Sequence, residues 1–167
     1  MKSKNISVIG GGGINGAYTA GRLYTLKKKY DGGVGVSTGA LAILYAILGL
    51  FEKLRDAYFV SMNDIFKISP FNKKGKIRKL NLIWRSLTGK KSIGDSSNLK
   101  DHIDKFITKS EYVEASKFEI KLGVHSITKN ENVFISNKNV GFESFKKWMH
   151  ISANAPLLMN IEDFQKT

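Results

Sequence analysis

Two glycine-punctuated segments constrain this chain more than any other feature. Gly10-Gly11-Gly12-Gly13-Ile14-Asn15-Gly16 follows the apolar stretch Ile6 to Ile9, and Gly35-Val36-Ser37-Thr38-Gly39 overlaps the short apolar run that begins at Val34. Glycine at such junctions allows backbone angles and close approaches that a Cβ forbids. Helical sequence follows each segment: Asn15 to Lys28 after the first, and the strongly apolar Gly39 to Leu50 after the second. The order strand, tight turn, helix, met twice, predicts an α/β fold with its glycine turns at the carboxyl ends of strands, where open α/β sheets place their sites.

The second segment has the form G-x-S-x-G. A serine hydroxyl is a weak nucleophile, and it becomes accessible on a sharp strand-to-helix turn with small neighbours. Gly35 and Gly39 supply that room around Ser37. The glycine run offers the complement. Gly11, Gly12 and Gly13 can turn consecutive amides toward one point and hold the oxyanion of a tetrahedral intermediate, worth about 10²–10³ in rate per donor. Acyl transfer is therefore the leading expectation. Gly11-x-Gly13-x-x-Gly16, followed by Ala17, also fits a dinucleotide-binding fingerprint. That alternative calls for an acidic residue at the end of the second strand to hold the ribose. Here the second strand ends in Ser37, and Asp31 precedes it.

Gly10 to Leu23 and Gly35 to Leu41 resemble, in order, two sequence blocks of the bacterial patatin-like phospholipases. Ile151-Ser152-Ala153-Asn154-Ala155-Pro156 is similar to the Ala/Ser-rich block ending in proline late in that domain, so the resemblance spans the whole chain. It implies a patatin-like three-layer α/β fold with a mainly parallel central sheet. It also implies a Ser-Asp dyad lipid acyl hydrolase that uses neither a catalytic histidine nor a cofactor. By that resemblance Ser37 is the nucleophile and Gly11, Gly12 and Gly13 line the oxyanion hole. Two positions depart from the family pattern: Asn15 stands where Arg or Lys is usual, and no Asp-Gly-Gly or Asp-Gly-Ala follows Pro156. The expectation is one patatin-like domain, residues 1–167, C-terminally incomplete and ending before the catalytic aspartate motif.

Few residues could serve as the base. Asp31-Gly32, the one Asp-Gly of the sequence, lies ahead of the nucleophile. Asp163 follows Pro156 by seven residues but is succeeded by Phe164, and it is one candidate base. Among the histidines, His102 falls on the polar face of a helical pattern and His125 shares a strand face with Glu119 and Lys121. His150, close to the Ala-Pro block, is the other candidate. Without a base Ser37 forgoes the factor of about 10²–10⁴ credited to proton transfer. The alternative reading is thus a catalytically inactive or truncated patatin-like domain that binds lipid or membrane.

Zero cysteines exclude a disulfide framework and a thiolate metal site, and no His/Asp/Glu cluster has ligand spacing, so no metal is expected. The net charge of +13 is uneven. Between Asp64 and Asp95 there is no acidic residue, while Lys67, Lys73, Lys74, Lys76, Arg78, Lys79, Arg85, Lys90 and Lys91 alternate with Leu80, Leu82, Ile83, Trp84 and Leu87. A basic segment with an aromatic anchor suits an anionic membrane surface, at about 1 kcal/mol per well-placed cation. Lys73, Lys74, Lys76, Arg78, Lys79, Trp84 and Arg85 are the candidate membrane-facing residues. The plainer account is compositional, since only four of the 27 basic residues are arginine and Asn and Ile abound, as AT-rich coding sequence produces. A lipid or phospholipid substrate is the expected partner. Nucleic acid is not, for want of a reader motif, and the sequence does not fix an oligomeric state.

The longest apolar stretch, Ala40 to Phe51, has 12 residues, against about 20 needed to cross a bilayer. No segment reads as a signal peptide, so the expected location is cytoplasmic, peripheral to membrane where it binds one. Beyond the glycine segments, periodicity predicts helices over Glu52 to Ser61, Ile77 to Leu87, Asn98 to Ile107 with Ser97 as cap, and Glu143 to His150. It predicts strands over Phe118 to Ile127 and Asn132 to Ser136, joined by a polar turn.

Overall fold

The computed structural model describes residues 4–59, 62–72, 74–78, 92–155 and 159, and among these the alternation of apolar stretches and glycine turns resolves into seven α-helices and four strands, with a 3₁₀ turn over Gly13–Asn15. In chain order these are β1 (Ile6–Ile9), α1 (Gly16–Leu26), β2 (Gly32–Val36), α2 (Thr38–Leu48), α3 (Phe51–Tyr58), α4 (Met62–Ile65), α5 (Ser97–Phe106), α6 (Lys109–Ala115), β3 (Glu119–Ser126), β4 (Glu131–Ser136) and α7 (Phe142–Ala153). The chain divides into two units, Met1–Phe59 with Ile103–Ala153, and Val60–His102 with Asn154–Thr167.

The first unit is a mixed α/β body around a four-stranded sheet of order β1-β2-β3-β4. β1, β2 and β3 are parallel, with Val8 opposite Val34 and Val36 opposite Gly123. β4 returns antiparallel to β3 through a turn in which Asn130 takes the left-handed region at φ 51. The mainly parallel sheet expected from the sequence is thus present.

A helix that is apolar all round must be buried, and α2 is: Ala40, Ala42, Ile43, Leu44, Tyr45, Ala46 and Ile47 all lie in the core. It packs on β1, β2 and β3 and is flanked by α1, α3, α6 and α7. Gly33 lets the helix descend onto the sheet, because a Cβ there would come within 2.6 Å of Ile43 Cδ1. Ile9, Ile120 and Leu122 face this layer and are buried, together with Phe145 and Met149 of α7. The opposite sheet face carries Ile6, Val8, Val36 and Phe134, all exposed. Buried Asn137 ties three elements together: its Oδ1 accepts from the Ile120 N–H, and its Nδ2 donates to the Ala115 and Phe118 carbonyls.

The second unit is built around antiparallel bridges, Ile68 with Asp95 and Phe71 with Ile77, and a T-shaped Phe66–Phe71 pair at 6.4 Å. Asn72 Oδ1 accepts from the Lys74 and Lys76 amides, with Gly75 at φ 72.

The elements differ from expectation in a few places. α1 ends early because Lys27 turns left-handed at φ 43 and its N–H bonds back to the Leu23 carbonyl. Ser97 is the first residue of α5 rather than its cap, and it is Asp95 Oδ1 that accepts the Ser97 N–H. Most of the helix expected over Ile77 to Leu87 lies outside the described residues, and Ile77 itself is in an antiparallel bridge.

Candidate active site

β2 stops at Val36 and α2 starts at Thr38, so the whole change of direction falls on Ser37, at φ 55 and ψ −126. For a residue with a Cβ this conformation costs about 1–3 kcal/mol and persists only where its surroundings over-determine it. Here they do. A Cβ on Gly35 would lie 2.4 Å from the Gly39 carbonyl oxygen, and one on Gly39 would lie 2.1 Å from that of Ile9. Only glycine at both positions lets the start of α2 sit against the ends of β1 and β2. Ser37 is half-buried, and among the described residues none hydrogen-bonds its hydroxyl.

The glycine run passes directly over this turn. A Cβ on Gly11 would meet Ser37 Cβ at 2.7 Å and its Oγ at 3.2 Å. The Gly12 N–H donates to Thr38 Oγ1 at 3.2 Å, and the Gly12 carbonyl accepts from the Asn15 N–H, opening the 3₁₀ turn Gly13–Asn15 that leads into α1. Gly13 is at φ 54. Gly16 fits beneath Tyr58 and Thr38, where a Cβ would come within 2.8 Å of the Tyr58 ring. The Tyr58 hydroxyl donates to the Thr38 carbonyl. Burial pushes its pKa above the ordinary tyrosine value, so it stays a protonated donor through the physiological range. Thr38 therefore joins the glycine loop, α3 and the first turn of α2.

The patatin-like phospholipase family model matches residues 8–166, nearly the whole chain, and so takes in both glycine segments and the proline block. The chain belongs to this family. A search of curated proteins finds no match. Membership makes the chain part of a lipid acyl hydrolase family with an α/β fold.

In this patatin-like domain the proline block supplies a contact that no local pattern announced. Ser152, in the last turn of α7, accepts the Ser37 N–H at 2.9 Å and donates its hydroxyl to the Gly123 carbonyl at 2.6 Å. Ser152, Thr38 and Tyr58 are the residues around Ser37 to which sequence reasoning assigned no role. The resemblance of residues 151–156 to a family block was the one hint of Ser152.

Of the two base candidates, His150 lies among the described residues. Asp163 lies outside the described residues, as does Pro156. His150 is buried in α7, but a two-residue step sets it about 200° around the helix from Ser152. α7 thus meets the Ser37 backbone through Ser152. Asp31 accepts the Asn5 N–H at 2.8 Å, beside the start of β2 and at the other end of that strand from Ser37. His102 is half-buried in α5. His125 is exposed, its Nδ1 3.0 Å from Asn132 Oδ1 across the β3–β4 pair.

Lys74, Lys76 and Arg78 are exposed in the second unit, beside exposed Ile77; Lys73, Lys79, Trp84 and Arg85 lie outside the described residues. Among the described residues no helix is long and apolar enough to cross a membrane. No group of three or more His, Asp or Glu among them is placed to hold a metal ion.

Proposed function

We propose that this chain is a serine lipid acyl hydrolase that cleaves fatty-acyl esters through an acyl-serine intermediate at Ser37. The observation that carries the reading is the strained Ser37 turn lying under Gly11, with glycine enforced at 35 and 39 by carbonyl oxygens. Such a turn exposes a hydroxyl for attack, and backbone amides fixed beside it favour charge that develops on a carbonyl oxygen. Ser37 Oγ attacks the ester carbonyl carbon and gives up its proton to a base. The amides of Gly11, Gly12 and Gly13 receive the oxyanion. Since the Gly12 amide is held by Thr38 Oγ1, it reaches a substrate oxygen by exchanging that acceptor. Collapse of the intermediate breaks the ester C–O bond and releases the protonated alcohol, such as a lysolipid. Water then attacks the acyl-serine and releases the fatty acid.

Asp163 and His150 are the candidates to receive the Ser37 proton. Asp163→Asn and His150→Asn distinguish them, since loss of the true base lowers the acylation rate by about 10²–10⁴. The exposed Lys74, Lys76 and Arg78, with Ile77 beside them, favour an anionic bilayer as the surface on which lipid is met.

The test is labelling of the purified chain with a fluorophosphonate probe, with Ser37→Ala as control. Labelling that disappears in the variant is the expected result. A folded chain that takes up no probe overturns hydrolysis and leaves the lipid-binding alternative, which vesicle binding by the same preparation then reads.

A further inference from the structure

Ser152 stands where the ladder between β2 and β3 should continue. The last registered pair of that ladder is Val36 opposite Gly123. One residue beyond Val36, the Ser37 N–H donates to Ser152 Oγ, 2.9 Å away, and the same hydroxyl donates to the Gly123 carbonyl at 2.6 Å. A hydroxyl carries one proton and can both donate and accept. It therefore sits between a donor and an acceptor that, in a parallel ladder, are suited to bond each other directly.

We infer that Ser152 is a positioning residue, a hydroxyl spacer that keeps the end of β2 one atom short of closing onto β3 and so holds Ser37 beneath the glycine loop. This rests on the reading of Ser37 as the nucleophile. The spacer matters because the opposite side of Ser37 has no slack. Gly11 has no room for a Cβ, which would lie 2.7 Å from Ser37 Cβ and 3.2 Å from its Oγ, and the Thr38 hydroxyl and carbonyl are tied to Gly12 and Tyr58. With the hydroxyl removed, the Ser37 N–H and Gly123 carbonyl are left half-buried without partners, and their nearest remedy is each other. That closure draws Ser37 toward β3 and away from Gly11. The change displaces the attacking hydroxyl and removes no other side chain, so the loss falls on the bond-forming step rather than on binding.

The experiment is the kinetics of fluorophosphonate labelling at Ser37 in the full chain, separating the rate constant of bond formation from reversible affinity, in wild type, Ser152→Ala, Ser152→Cys and Ser152→Thr. The expected result is a tenfold to hundredfold slower bond-forming step in Ser152→Ala at unchanged affinity, since a displacement of about 1 Å costs about that much. Ser152→Cys falls between, and Ser152→Thr, which keeps the hydroxyl, restores the rate to within a few-fold. An Ala variant that labels like wild type overturns the inference. So does a Thr variant as slow as Ala, or a set in which Ala and Cys unfold while Thr does not, because the hydroxyl then serves the fold alone. A wild type that never labels removes the nucleophile reading itself, which distinguishes that failure from this one.

Discussion

Gly39 and Gly21 are both glycines inside helices, yet opposite outcomes are expected on adding one methyl group to each. At Gly39 the new Cβ would lie 2.1 Å from the Ile9 carbonyl oxygen and 2.8 Å from that of Gly10, both main-chain atoms that cannot swing aside. Gly39→Ala is expected to destabilise the chain by about 3 kcal/mol or more, through overpacking against backbone. At Gly21, in the exposed middle of α1, nothing lies within 4 Å. Gly21→Ala is expected to stabilise by about 0.5–1 kcal/mol, through helix propensity and a less free unfolded chain. Urea denaturation of the two variants checks both, and equal midpoints would remove the close approach on which the turn depends. This contrast also explains what the sequence disclosed at the residue scale. Gly11, Gly35, Ser37 and Gly39 were legible because a backbone that must approach within a methyl's breadth leaves glycine at fixed spacing. Ser152, Thr38 and Tyr58 act through hydrogen bonds to residues 115, 26 and 20 positions away. Such contacts impose no local pattern, so no reading of periodicity or spacing could assign them.

At the scale of elements, a strong period was readable and a weak one was not. α2 announced itself by continuous apolar sequence, and α7 was expected over Glu143 to His150, where the structure extends it to Ala153. α6 escaped notice because its seven residues bury only Tyr112 and Ala115. Its one sequence signature is the capping box, in which Thr108 Oγ1 accepts from the Glu111 N–H and Glu111 Oε2 accepts from the Thr108 N–H. Glu111 does a second task, binding Lys53 of α3 at 2.6 Å. Burial alone would raise the Glu111 pKa, but the Lys53 ammonium and the Thr108 backbone and hydroxyl donors outweigh it and hold the carboxyl below its ordinary range. A carboxyl with a lowered folded-state pKa stabilises the fold above its unfolded value and loses that contribution as pH falls through the folded one. Glu111→Gln is therefore expected to lower stability at neutral pH and to flatten the fall in stability on acidification. Urea midpoints between neutral pH and about pH 3 check this, and parallel acid limbs in the two proteins would refute the coupling.

For the molecule as a whole, charge and apolar surface set opposing tendencies. The net charge of +13 repels copies of the chain from one another. The first unit meanwhile presents Ile6, Val8, Val36 and Phe134 on one sheet face at 53, 78, 40 and 57% exposure. Among the described residues, helices cover the other face, and alternate residues of β1 lead different lives: Ile9 is core and Val8 is surface. The sequence could not reveal this. Parallel strands are ordinarily covered on both sides and read as unbroken apolar runs, and Ile6 to Ile9 reads as such a run whichever face is open. What was legible at this scale was the family, from the order of the glycine segments and the proline block, and through that resemblance the mainly parallel sheet. The open face makes a direct prediction. A hydrophobic dye such as anilinonaphthalene sulfonate should fluoresce with the native chain, and Val8→Thr with Phe134→Thr should reduce that signal by well over half. Because both side chains are largely in water already, the pair should change stability by no more than about 0.5 kcal/mol per site. The measurement is dye titration beside urea unfolding of the same samples. Unchanged fluorescence would mean that these side chains are covered in solution. A large drop in stability would mean that they pack against something, and either result would replace the open sheet face by a closed one.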